Sequence, residues 1–177
     1  MSKQIIATLV AALILFFWQF LSWGMLNLHG GEITYTPNQD KIIQALSENL
    51  TEAGQYRVPA GATAEEYQAV MENNNGKPWA TINYHPVQST PFGMNLFRGM
   101  VIDLLAAFFL VWILMKFANL DFKDALLASL AVGAIGYMTI PYLNSIWFQT
   151  NTMGYIADLA GWGIVGAWLG YYLPKKS

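Results

Sequence analysis

The sequence predicts an all-α membrane protein, a bundle of four transmembrane helices with a small α+β insertion on the extracytoplasmic side between helices 1 and 2. Three observations predict this class. Four apolar runs are each about 20 residues long, the length that a helix needs to cross a bilayer. Only 9 Lys+Arg and 11 Asp+Glu occur in 177 residues, 11% of the chain, against about 25% in an ordinary soluble domain. Aromatic residues reach 15%, which suits helix ends in a membrane interface.

The composition also excludes several classes of protein. The low charge and the mean hydropathy of +0.34 exclude a disordered chain and a basic nucleic-acid binder. The absence of cysteine excludes disulfides and thiolate metal sites. Nucleophile motifs and phosphate-binding glycine loops are lacking as well, so nothing in the sequence calls for an enzyme.

The first predicted span covers residues 5–26 and is interrupted only by Gln19 and Ser22. We interpret it as an uncleaved anchor, because about twenty apolar residues are long for a signal peptide and no A-x-A site follows. The other predicted spans cover about residues 97–117, 125–143 and 154–173. The chain therefore divides into residues 1–26, an inserted segment 27–95, and residues 96–177.

Lysine and arginine residues in the short segments beside the spans predict the orientation of the chain in the membrane, because these residues are retained on the cytoplasmic side during insertion. In a four-span arrangement, one side carries Lys3, Lys116, Lys123, Lys175 and Lys176. The opposite short loop, residues 144–153, has no charge. We therefore expect a bacterial inner-membrane protein with cytoplasmic termini and a periplasmic segment 27–95.

The inserted segment contains three basic and seven acidic side chains and is predicted to fold. A helix is expected after Thr36-Pro37-Asn38, and strands at residues 54–59 and 79–85. Between the strands, Thr63 and Glu66 predict the capping box of a second helix. Because so small a unit buries little surface alone, two interpretations stay open: a lid for its own bundle, or a cap that meets a partner.

Ionisable side chains inside a span are costly and are therefore functional candidates. Asp103 and Asp158 are expected roughly 8–9 Å below the outer end of their spans, on faces with small residues, where the two can meet. Arg98 is the nearby cation. Three interpretations stay open: a structural pair of an aspartate with Arg98, a carboxyl dyad that shares a proton, and a cation site.

The two histidines, His29 and His85, bracket the inserted segment. Two neutral imidazoles near the membrane surface are potential ligands of haem iron, copper or zinc, with Asp103 or Asp158 as an oxygen ligand. No HxxH or HExxH spacing accompanies them. We therefore expect interfacial histidines, no metal and no cofactor.

Small residues at regular steps predict close helix packing in the third and fourth spans. The set comprises Ser129, Gly133, Gly161, Gly166 and Gly170. Gly166-x-x-x-Gly170 matches the small-residue packing motif. The pattern fits packing inside the bundle and also docking into a larger assembly.

Three short motifs carry a resemblance: Ser22-Trp23 followed by His29, the stretch 54–59, and the span from Asp158 to Gly170. With them the chain resembles a family of uncharacterised small bacterial four-span inner-membrane proteins. The resemblance implies a membrane topology and no catalytic residues.

The sequence thus predicts a non-catalytic membrane protein that acts as an accessory or stabilising subunit of a larger membrane complex. Its expected partners are the lipid bilayer and other membrane-protein subunits, and not nucleic acid. One alternative is a small transporter or ion- or proton-handling protein that uses Asp103 and Asp158. A further alternative is a haem- or metal-binding redox protein that uses His29 and His85.

Overall fold

The computed structural model of the chain describes residues 2–89 and 91–174. It divides into two compact units, one formed by Met1–Thr34 together with Pro91–Ser177 and the other by Tyr35–Thr90. Lys175 and Lys176, which contribute to the predicted orientation, lie outside the described residues.

Over these described residues the chain is mostly helical, with one two-stranded sheet. In chain order the helices are α1 Lys3–Phe20, α2 Gln39–Asn49, α3 Ala64–Asn73, α4 Phe92–Leu114, α5 Phe122–Tyr137, α6 Leu143–Phe148, α7 Met153–Ile156 and α8 Asp158–Tyr172. The strands are β1 Gly54–Val58 and β2 Ala80–Tyr84. Two π-helical turns are present: Leu21–Met25 prolongs α1, and Met138–Tyr142 joins α5 to α6.

Among the described residues, three helical segments are long and apolar enough to cross a membrane: Lys3–Met25, Phe92–Leu114 and Phe122–Phe148. They fall on the first three predicted spans. The third is longer than the predicted 125–143, because Pro141 lies within a π-helical turn that continues the helix instead of ending it.

The segment predicted as the fourth span, residues 154–173, differs from the expectation. It consists of α7 and α8, which are separated at Ala157. The 15 residues of α8 make a helix about 22 Å long, which is shorter than the roughly 30 Å hydrocarbon core of a bilayer.

The helices of the first unit pack side by side in the order α4, α1, α8, α5. Their shared core consists of small and aliphatic side chains, with Ala11 of α1, Val111 of α4 and Leu169 of α8 fully buried. Large apolar side chains such as Phe17 and Phe109 are exposed on the outside. An outward-facing apolar surface of this extent is typical of helices that face lipid.

Helix α8 lies antiparallel to α1 along its whole length. At one end the indole N–H of Trp18 donates a hydrogen bond of 3.2 Å to the carbonyl oxygen of Ala157. At the other end Lys3 Nζ donates a hydrogen bond of 2.8 Å to the carbonyl oxygen of Leu173. The ammonium group thereby satisfies one of the carbonyls that every helix leaves free at its C-terminus.

The second unit contains β1 and β2, which pair antiparallel with Gly54 opposite Tyr84 and Val58 opposite Ala80. The predicted capping box of α3 is confirmed: the Thr63 hydroxyl accepts from the Glu66 amide, and the Glu66 carboxylate accepts from the Thr63 amide. Neither α2 nor α3 contains a buried residue.

Candidate functional site

The chain turns back on itself directly after α1. In and after the π-helical turn, the amide of Leu26 donates to the carbonyl of Leu21 at 2.8 Å, and the amide of Leu28 donates to the carbonyl of Ser22 at 2.9 Å. Asn27 follows with φ 48°, a left-handed conformation that asparagine tolerates better than most residues. This reversal returns the next residues to the side of the helix.

His29 is the central residue of the site that the reversal creates. Its ring stacks on the indole of Trp23 with 3.9 Å between centroids and 5° between planes. The ring of Tyr155, from α7, meets it edge-on at 5.2 Å. Only 4% of His29 is exposed. We call His29, Glu32 and Asp158, with the two aromatic rings around them, the His29 cluster.

Two carboxyl groups lie at opposite nitrogens of the His29 ring. Nδ1 lies 2.7 Å from Oε1 of Glu32, a short hydrogen bond. Nε2 lies 3.6 Å from Oδ1 of Asp158, at the beginning of α8. That distance is too long for a hydrogen bond, and these two atoms are buried without a hydrogen-bond partner in the described part of the chain. The cluster connects the end of α1 to the beginning of α8.

Gly154 provides the space for this cluster. A Cβ atom at this position would lie 2.5 Å from Glu32 Oε1, 2.8 Å from His29 Nδ1 and 2.9 Å from the carbonyl oxygen of Leu28. Real Cβ atoms do not approach neighbours so closely. Position 154, the second residue of α7, must therefore lack a side chain for the cluster to form.

Asp103 forms a second polar contact, between α4 and α1. It is 3% exposed, and its Oδ1 accepts a hydrogen bond of 2.9 Å from Gln19 Nε2. Its Oδ2 is buried without a hydrogen-bond partner among the described residues. A polar contact between two helices satisfies groups that would be costly to leave unpaired in hydrocarbon.

The two aspartates of the predicted spans, Asp103 and Asp158, lie at one level along α1 but on different sides of it. The neighbouring residues Trp18 and Gln19 contact Ala157 and Asp103, respectively. Asp158 faces His29, whereas Asp103 faces Gln19, so the structure does not bring the two carboxyl groups together. Arg98 is in α4 and forms no ion pair with any residue that the structure describes.

The two histidines belong to different units of the chain, His29 to the first and His85 to the second. Within residues 2–89 and 91–174, no group of three His, Asp or Glu side chains is arranged to hold a metal ion. Both ring nitrogens of His29 face carboxyl oxygens.

The small residues singled out in the sequence lie at helix contacts of the first unit. The Ser129 hydroxyl donates to the carbonyl oxygen of Trp162 at 2.7 Å, which joins α5 to α8. Gly133 lies against the side chain of Trp162, and Gly161 against that of Trp18 on α1. Helix α8 is therefore lined with glycine on the faces that meet both of its neighbours.

Sequence reasoning missed Glu32, Trp23 and Gln19 as site residues, and it considered Gly154 only as one of the small residues on the face of Asp158. The contact of Gln19 could have been predicted, since a polar residue that interrupts an apolar span often pairs with a polar residue on another helix. The others are brought together by the chain reversal, for which the sequence has no periodic signal.

No protein-family model matches the chain, and neither the curated proteins nor the solved structures include a significant match.

Proposed function

We propose that this protein is a non-catalytic integral membrane protein that serves as an accessory subunit of a larger bacterial membrane complex. The observation that carries the proposal is the poorly buried second unit. Among its described residues 35–89, Tyr84 is the only buried one. A two-stranded sheet is marginally stable by itself, and a unit of this size needs further burial to remain folded. A partner surface would supply that burial.

The proposal places four spans in the inner membrane, with cytoplasmic termini and an exported second unit. The fourth span is α8 together with α7. Its support is the antiparallel packing of α8 on α1, because a helix aligned with a spanning helix shares its membrane depth. The outer end of α8 stops short of the end of α1, and α7 and the His29 cluster occupy the remaining depth. Irregular backbone is tolerated at such depth where protein surrounds it.

The proposed contact surface is the apolar stripe of α2, formed by Ile42, Ile43 and Leu46 together with Leu50, the residue directly after the helix. Ile43 is 55% exposed and Ile42 is 48% exposed, while the opposite face of the helix carries Gln44 and Glu48. Apolar stripes of this kind bind in grooves of partner proteins. The second unit carries three basic and six acidic side chains, so we expect a partner protein with a basic exported surface.

Purification of the tagged full-length chain from its native membranes tests the proposal. The chain is extracted in mild detergent, sized, and analysed by mass spectrometry. We expect a particle larger than one chain that contains a second membrane protein in stoichiometric amount. A homogeneous single chain without a partner would contradict the proposal.

A matched pair of variants tests the stripe itself. Ile43→Glu places a charge on the stripe, and Gln44→Glu places the same charge on the opposite face of α2. Because burial of an isoleucine contributes about 1.5–3 kcal/mol, Ile43→Glu should lower partner recovery at least about tenfold. Gln44→Glu should leave recovery nearly unchanged. Equal recovery with both variants would exclude the stripe as the contact surface.

Asp103 favours a second candidate function, the handling of protons or cations. The specific observation is its Oδ2 atom, which is buried inside a candidate span without a hydrogen-bond partner among the described residues. This candidate predicts cation- or pH-dependent flux in proteoliposomes that contain the purified chain. Flux that persists in Asp103→Asn, or the absence of flux in the unmodified protein, would exclude this role for Asp103.

A further inference from the structure

The His29 cluster contains a gap between two hydrogen-bond acceptors. The 2.7 Å contact between Nδ1 and Glu32 Oε1 requires a proton, which the imidazole carries because a carboxyl group is the stronger acid. A neutral ring then has a bare lone pair on Nε2. That lone pair faces Oδ1 of Asp158 at 3.6 Å, where two acceptors repel each other.

A bridging water does not fit this gap. Two hydrogen bonds of about 2.8 Å at a tetrahedral angle span roughly 4.5 Å, which exceeds the separation of the two atoms. Both atoms are also inaccessible to solvent. A proton is therefore the species that removes the repulsion at the observed separation.

We propose that His29 is a proton-binding site, whose ring holds one proton on Nδ1 toward Glu32 and a second proton on Nε2 toward Asp158. Three of the four groups that face the ring favour the doubly protonated state. The carboxylates of Glu32 and Asp158 supply opposite charge at the two nitrogens. The indole face of Trp23 lies parallel to the ring and attracts a cation. The phenol of Tyr155 meets the ring edge-on and is uncharged at neutral pH.

The bound proton links two parts of the membrane unit. Burial of a cation is costly, but here one positive ring lies between two negative groups that would otherwise repel each other. Removal of the proton leaves two carboxylates beside a neutral ring and weakens the attachment of Asp158 to the residues that follow α1. The site is separate from the stripe of α2, so its test does not depend on a partner.

Nitrogen-15 NMR of the full chain in lipid nanodiscs tests the proposal, with label in histidine only. The sample is measured at a pH about one unit above 6.5, the ordinary pKa of a histidine side chain. The His85→Gln variant assigns the signals, because it leaves His29 as the only histidine. We expect two protonated ring nitrogens for His29. An unprotonated Nε2 at this pH would overturn the proposal, whether the proton is absent or resides on Asp158.

Asp158→Asn provides a second readout. The introduced amide can donate to Nε2 and removes one negative charge, so His29 should become neutral at the same pH. Asp103→Asn is the matched control, because it changes the other buried aspartate and should leave the His29 signals unchanged. A His29 that stays doubly protonated in Asp158→Asn would overturn the assignment. If Asp158→Asn fails to fold, the spectrum of the unmodified protein still shows whether Nε2 of His29 carries a proton.

Discussion

Gly166 of α8 packs so closely on Ser129 of α5 that a Cβ on the glycine would lie 2.7 Å from the Cβ of the serine. The Cα of Leu126 and the carbonyl oxygen of Ala125 would lie at 3.0 and 3.2 Å. Two of these three neighbours are backbone atoms, which cannot rotate away. The α5–α8 contact therefore depends on the missing side chain at this position.

Gly166→Ala should push α5 and α8 apart and lower the free energy of unfolding by about 1–3 kcal/mol, the usual cost of overpacking. Gly163→Ala is the control on the same helix, since its Cβ would meet only a side-chain atom of Leu130 at 3.5 Å, an ordinary contact. Unfolding in mixed detergent micelles measures both variants. Equal stability of the two variants would contradict this packing.

Gly154→Ala should disrupt the His29 cluster, because the added methyl group overlaps both Glu32 and His29. We expect a loss of about 1–3 kcal/mol in the free energy of unfolding and a changed NMR signal of His29. Gly136→Ala serves as the control, since no atom beyond its chain neighbours and the nearby backbone of its own helix lies within 4 Å of its added Cβ. That change should be neutral or stabilising by up to about 1 kcal/mol. An unchanged His29 signal in Gly154→Ala would show that the glycine is not required.

The contact between Gln19 and Asp103 should show strong coupling in a double-mutant cycle. Gln19→Leu leaves the buried Asp103 carboxyl without its hydrogen-bond donor and should cost about 1–3 kcal/mol. Adding Asp103→Leu removes the unpaired group as well, so the double variant should be more stable than Gln19→Leu alone. Additive losses in the free energy of unfolding would argue against a direct contact.

The number of spans is testable because the chain contains no cysteine. Single cysteines replace Ser47, Asn119, Thr150 or Ser177, and intact cells are treated with a membrane-impermeant maleimide. Four spans predict labelling of the variants at Ser47 and Thr150, with protection at Asn119 and Ser177 until the membrane is opened. Labelling at Ser177 in intact cells would instead indicate three spans, with the C-terminus outside.

Local signals in the sequence predict much of the fold. The capping box at Thr63 and Glu66 is confirmed because all its partners lie within four residues, where geometry follows directly from helix formation. The first three apolar segments are predictable from length and hydropathy alone. Residues 154–173 are harder to predict, because the helix is interrupted at Ala157 and hydropathy carries no signal for such a break. The break leaves α8 shorter than a membrane span.

The candidate site is less predictable, because its contacts join distant residues. Sequence reasoning selected His29 and Asp158, but it paired Asp158 with Asp103 and His29 with His85, and it placed an aspartate beside the histidines only as a metal ligand. The actual neighbours follow from the π-helical turn, the left-handed Asn27 and the space at Gly154. None of these has a periodic signature, so the combination of His29 with Glu32 and Asp158 emerges only from the folded chain.

Hydrogen–deuterium exchange of α2 and α3 tests the central claim, that a partner protein covers the second unit. Exchange is measured in native membrane vesicles and in the purified lone chain in nanodiscs. Because neither helix contains a buried residue, we expect fast amide exchange in the lone chain and at least about tenfold slower exchange in native membranes. Equal exchange in the two preparations would contradict the proposed role as an accessory subunit.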